Sequence, residues 1–190
     1  MIKREVWYFA KPGPENTPAC VELLEKAALQ GYRHLVLAST TGESAVLAAR
    51  RLAPVPGLNL VVVGHSVGFR GPNIDEFVDD HYQEITRLGG KVLKATILTH
   101  SLDTSIAEQF KGSAPTLLIA NTLRRLGQGL KVCCEIVMEA ADAGLIPEGE
   151  EVVAAAGTAR GWDTVAIIKS AASKRFLQLS VLEIWAKPRV

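Results

Sequence analysis

Cysteine and aromatic residues are scarce in this chain, and its charges nearly cancel: three cysteines, 6% aromatic residues and a formal net charge of +1 over 190 residues. The cysteines are Cys20, Cys133 and Cys134, an odd number with no Cys-x-x-Cys spacing, which excludes a disulfide framework. Adjacent positions on a helix project about 100° apart, so Cys133 and Cys134 do not converge on one ion. They read as small core residues, and no metal site is expected. Balanced charge, with no basic block interleaved with aromatics, argues against a nucleic-acid partner. No apolar run reaches the roughly 18 residues of a membrane span, and Met1–Glu5 lacks the apolar core of a signal peptide. The expectation is a soluble, cytoplasmic chain with no membrane partner.

Catalytic signatures are missing as well. There is no Gly-Lys-Ser/Thr ending to a phosphate loop, which removes nucleoside-triphosphate hydrolysis, and no His-Glu-x-x-His or Gly-x-Ser-x-Gly. His34, His65, His81 and His100 are scattered. His81 falls in a polar helical stretch and reads as solvated; only His65 and His100 fall at strand ends, and neither has a visible partner. No residue is nominated as a catalyst, and whether the chain is an enzyme stays open.

What the chain has is a hydrophobic share of 48% arranged as alternating strands and helices, enough for one domain over residues 1–190. Strands are predicted at 6–10, 35–38, 59–64 and 91–95, and helices at 17–30, 42–52 and 74–88. A long helical pattern at 114–143 is interrupted by Gly127 and Gly129, which mark a kink or a close packing contact. Three further strands follow at 151–156, 164–169 and 180–186. This order predicts a three-layer α/β/α fold whose mainly parallel sheet ends in one or more antiparallel late strands at an edge. The alternation around Glu183 places the final strand at that edge, where Ser180–Ala186 could pair with a second copy as a homo-oligomer.

In open α/β sheets ligands gather beyond the carboxyl ends of the strands. The most informative loop there is Ser39-Thr40-Thr41-Gly42-Glu43-Ser44, between a strand and an Ala-rich helix. Its free N–H groups, its hydroxyls and the positive end of a helix dipole suit a phosphate, although an ordinary N-cap uses similar residues. Glu43 beside a dianion is awkward and is expected to point away or cap the helix. A second loop, Gly64–Gly71, offers His65, Gly68 and Phe69, with Arg70 as an anion ligand, or is a plain crossover. Thr99–Asp103 is polar and reads equally well as a helix cap. The last loop, Gly157–Thr164, brings Gly157, Thr158, Arg160, Gly161 and Asp163, or is a hairpin connection. Asp163 there either pairs with Arg160 or accepts backbone N–H groups. A phosphorylated small molecule is the expected partner.

The Ser39–Ala45 and Gly157–Thr164 loops resemble the two phosphate-gripping loops of the pyruvate kinase C-terminal domain. More of the chain is similar to the stand-alone pyruvate-kinase C-terminal-like proteins of archaea and bacteria. The likeness covers Lys11–Thr17, the Thr-Thr-Gly-Glu loop, Val67–Arg70, Leu126–Cys133, Ala140–Pro147 and Ala156–Gly161. That resemblance implies the three-layer fold, no catalytic barrel and so no phosphotransfer from phosphoenolpyruvate, and FMN as the ligand. A flavin phosphate would then sit at Thr41–Ser44, with Phe69 or Trp162 as the surface on which its ring stacks.

Overall fold

The alternation of apolar runs is realised as β1 (Trp7–Phe9), α1 (Thr17–Leu29), β2 (His34–Ala38), α2 (Glu43–Leu52), β3 (Asn59–His65), α3 (Asp79–Arg87) and β4 (Lys91–Ala95). Then come α4 (Leu102–Phe110), α5 (Pro115–Arg124), α6 (Gln128–Asp142), β5 (Glu151–Ala156), β6 (Thr164–Lys169) and β7 (Ser180–Pro188), with 3-10 turns at Pro14–Asn16 and Ser173–Gln178. The structure is a computed structural model that describes residues 1–189. All seven strands lie in one sheet, ordered β1-β7-β6-β5-β2-β3-β4. Every pairing is parallel except those of β6, which runs against both β5 and β7.

Strand side chains alternate between two cores, because successive residues point to opposite faces of a pleated sheet. Leu35 and Leu37 of β2 face Leu24 of α1 and Val46 of α2, while Val36 faces the layer of Leu130, Val137 and Ala140 from α6. Each fully buried leucine or valine contributes roughly 1.5–3 kcal/mol of transfer free energy. The three layers are therefore two helical coats on one sheet, as the element order predicts. Among the described residues no helix is long and apolar enough to cross a membrane. All three cysteines are buried free thiols, and burial pushes Cys20 and Cys134 up to about 12.

Some elements differ from their expected places. The antiparallel strand is β6, inside the sheet, and the final strand is not an edge: β1 pairs with it in parallel, Trp7 opposite Ala186 and Phe9 opposite Pro188. Glu183 accepts from Arg4 Nε at 3.0 Å and from the Trp185 indole N–H at 2.6 Å, so it has protein partners at this strand. The predicted pairing edge is thus taken over residues 186–188 by a strand from the other end of the chain. The helix expected from residue 74 begins at Asp79, because Asp75 Oδ1 accepts the Phe77 N–H at 3.0 Å and Phe77 turns inward. The long helical pattern divides at Gly127, with φ of 127° and ψ of 144°. Gly129 packs so closely that a Cβ there would stand 2.2 Å from Thr164 Oγ1, so kink and close contact both occur.

Candidate functional site at the carboxyl ends of the strands

β2, β3, β4 and β5 run in one direction, so the segments following them emerge at one end of the sheet, where β6 also begins. β2 leaves toward α2 on one face, whereas the chain reaches β5 from α6 on the other. The connections therefore diverge between β2 and β5, the position at which this architecture opens a crevice. The Ser39–Gly42 and Gly157–Asp163 loops flank that point and are joined directly: the Trp162 indole N–H donates to the Ala38 carbonyl at 2.6 Å.

In the first loop the Gly42 N–H donates to Ser39 Oγ at 3.1 Å, and Gly42 adopts a left-handed φ of 90° at the N-cap of α2. Among the described residues no side chain caps α2, so its first-turn N–H groups keep their capacity for an external acceptor. Thr40, Thr41 and Ser44 are half-buried, and their hydroxyls make no hydrogen bond among the described residues. Glu43 is exposed at the first helical position, where its charge complements the positive end of the helix dipole without capping the helix.

The loop is braced from behind by residues that carried no signal in the sequence. The Thr41 carbonyl accepts from the Val78 N–H at 3.2 Å and lies 2.8 Å from His81 Nδ1, so His81 is a structural tie and not a solvated residue. A Cβ on Gly42 would stand 2.6 Å from His81 Cβ and 2.8 Å from Phe77. A bulky residue at Gly42 therefore disturbs the fold as well as any ligand.

The segment after β3 closes on itself, with the Gly68 N–H donating to the Ile74 carbonyl at 2.8 Å. His65 does have a partner: its Nδ1 lies 2.9 Å from Glu76 Oε2, and Arg70 Nε donates to the other oxygen at 3.2 Å. Glu76 thus spends much of the cationic capacity expected there. Phe69 is exposed and lies against His65, ring centroids 4.5 Å apart and tilted by 51°.

The Gly157–Asp163 loop is packed tightly. Asp163 is 0% exposed, accepting the Thr158 N–H at 3.1 Å and the Thr164 hydroxyl at 2.9 Å, so it organises the loop and does not pair with Arg160. Gly161, at φ of 66°, sits against Pro14 and Thr17. Trp162 is also 0% exposed and donates its backbone N–H to Thr17 Oγ1 at 2.9 Å, so it cannot serve as an open stacking surface. Arg160 is exposed and makes no ion pair among the described residues.

On the α6 face, His100 joins a largely buried polar array. Arg124 Nη2 donates to His100 Nε2 at 2.8 Å, and His100 Nδ1 lies 3.0 Å from Thr99 Oγ1 and 3.4 Å from Lys131 Nζ. Glu135 accepts from the Thr99 hydroxyl and from its N–H, and pairs with Lys131, itself 2% exposed. Burial, then Lys131 and Arg124, hold His100 below the usual imidazole range. Burial, followed by Glu135, raises the Glu139 carboxyl to about 8; the Leu98 N–H bonds to that carboxyl. The spacing 131, 135, 139 was the available signal, since it stacks three ionisable side chains on one helical stripe. The Thr99–Ser101 segment otherwise leads into α4, as a helix-entry loop.

The site therefore gathers a free helix N-terminus, three open hydroxyls and one unpaired guanidinium around the β2–β5 divergence, and leaves Phe69 as its exposed aromatic. Such a set is chemically suited to an anion, and among the described residues it presents no paired acid and base at that point. No protein-family model matches the chain.

Proposed function

We propose that this chain binds a phosphorylated small molecule at the β2–β5 divergence, with FMN as the ligand that the resemblance to pyruvate-kinase C-terminal-like proteins favours. The observation that carries the reading is the uncapped N-terminus of α2 beside the unbonded hydroxyls of Thr40, Thr41 and Ser44. Phosphate oxygens would accept from those groups, and Arg160 would add a charge-assisted hydrogen bond from the facing loop. For FMN the phosphate end of the site fits this donor set; at the ring end, Phe69 is the exposed aromatic, since Trp162 is buried. FMN, when bound, supplies hydride and single-electron chemistry through its ring system. This chain's residues would fix the phosphate and shield one side of the ring.

A second reading is supported by the burial of Trp162: a sugar phosphate or similar metabolite needs no stacking platform, and a domain that binds one acts as a sensor without catalysis. The absorption spectrum of the purified protein, with thermal shifts for FMN, riboflavin and a sugar bisphosphate, separates these. FMN is expected to stabilise the protein and riboflavin, lacking the phosphate, to bind about 100-fold more weakly. Thr41→Val and Arg160→Ala are each expected to weaken FMN about tenfold while leaving the unliganded melting temperature unchanged. Stabilisation by the sugar bisphosphate alone would replace flavin with sensor. No shift from any phosphate compound would end the phosphate reading. If FMN binds, stopped-flow reduction by NADH or NADPH distinguishes an oxidoreductase from a binding domain.

A further inference from the structure

The connection from β4 to α6, residues 96–126, is fastened to the molecule differently from the other helical segments. Among the described residues α4 buries no side chain and α5 buries Ala120, with Leu123 partly buried against the core beneath. Leu102, Ile106, Phe110 and Leu118 are all exposed. α4 packs chiefly on α5, and α5 on α6, so neither has the sheet as its main neighbour. The fastening is polar instead. The Thr99 N–H donates to Glu135 Oε1 at 3.1 Å, the Thr99 hydroxyl donates to the same oxygen, and the Leu98 N–H bonds to the Glu139 carboxyl. These contacts lie on the Lys131, Glu135 and Glu139 stripe of α6, all three of whose side chains are buried.

We propose that residues 96–126 form a lid that opens as one body about roots at Ala95 and Gly127, with the bonds of Thr99 to Glu135 as its latch. The lid is internally tied. Arg124 Nη2, near its end, donates to His100 Nε2, near its start, at 2.8 Å, and the Thr116 hydroxyl of α5 donates to Asp103 of α4. Both roots lie at the end of the sheet that carries the Ser39–Gly42 and Gly157–Asp163 loops. β4 runs parallel to β3 and ends there at Ala95, and a Cβ on Gly129, two residues beyond Gly127, would stand 2.9 Å from Asp163 Oδ1. Gly127, at φ of 127°, would have nothing within 4 Å of a Cβ, so the second root has space to turn. Opening returns ionisable side chains to water and forfeits hydrogen bonds rather than much apolar burial. A segment closed in this way opens at a lower free energy than the whole domain unfolds. Opening bares the α6 face at the loop-bearing end of the sheet, and the lid stands whether or not a phosphate binds there.

Hydrogen exchange followed by mass spectrometry tests the lid on the full chain without ligand. Relative to their intrinsic rates, amides within α4 and α5 are expected to exchange at least about 100-fold faster than those of β2, β3 and α6, with one common protection for the two helices. Thr99→Val removes the hydroxyl donor of the latch and keeps the Lys131–Glu135 pair, so α6 retains its own support. This variant is expected to speed exchange in α4 and α5 together by about tenfold while β2 and β3 keep the rates of the parent. Protection of α4 and α5 equal to that of the core strands would overturn the lid, as would different protection of the two helices. An unchanged rate in α5 of the Thr99→Val protein, or an equal acceleration in β2 and β3, would overturn Thr99 as its latch.

Discussion

Gly157→Ala is expected to lower the unfolding free energy by about 3–5 kcal/mol, enough to threaten a domain of ordinary stability. A Cβ at residue 157 would stand 2.3 Å from the Gly161 carbonyl oxygen and 3.0 Å from Trp162 Cα, both backbone atoms. Gly161 cannot withdraw, because a Cβ on its own far side would already meet Pro14 Cα at 2.5 Å. Relief therefore requires moving Trp162, which breaks its bonds to Thr17 and to Ala38 and opens the joint between the two candidate ligand loops. Gly112→Ala is the control, since a Cβ there meets nothing within 4 Å, and it should leave stability within about 0.5 kcal/mol. Urea unfolding followed by circular dichroism reads both. A Gly157→Ala protein as stable as its parent would mean that the loop is not closed on Gly161 as described.

Glu139→Gln should make the protein more stable in mild alkali and flatten its dependence on pH. Burial, and then the neighbouring Glu135, hold the Glu139 carboxyl near 8, against 4.5 for a free glutamate; Asp142 adds to this, while the Leu98 N–H and Lys131 act the other way. His100 and Arg124 are the remaining charged or titratable groups of the same array. The sign follows from proton uptake. Between about 4.5 and about 8 the folded chain keeps a proton that the unfolded chain has released, so stability falls as pH rises through that window. The contribution is complete below 4.5 and is lost once pH passes the folded value. Glutamine retains an oxygen for the Leu98 N–H and carries no proton to lose. Melting temperatures from pH 5 to pH 9 should decline for the parent and decline less for the variant, which should melt about 5 °C higher at pH 9. Identical profiles would remove Glu139 as the source of the slope.

The three-layer fold was legible because its information is local. Apolar runs such as Leu60–Val63 admit a strand buried on both faces and little else, and the Gly42-to-Leu52 pattern commits one helical face to the core. Strands β4, β5 and β6 consequently fall where the sequence places them. The loops bearing Ser39–Ser44 and Gly157–Asp163 were legible for the same reason, since glycine and hydroxyl clusters mark the end of a strand wherever the strand goes.

Partners distant in the chain were not legible. The final strand looked like an edge because nothing near Ser180–Ala186 reveals that Trp7–Phe9 returns to cover part of it. Trp162 resembled a stacking platform until its indole was found bonded to Ala38, 124 residues away. His65, His81 and His100 each lacked a partner in sequence and gained one from Glu76, Thr41 and Arg124. By itself the sequence determined which residues form strands and helices and where polar loops interrupt them, because periodicity and turn chemistry act over a few residues. Tertiary structure alone decided which loop residues remain free to meet a ligand, because hydrogen bonds and burial are settled between segments that only the folded sheet brings together.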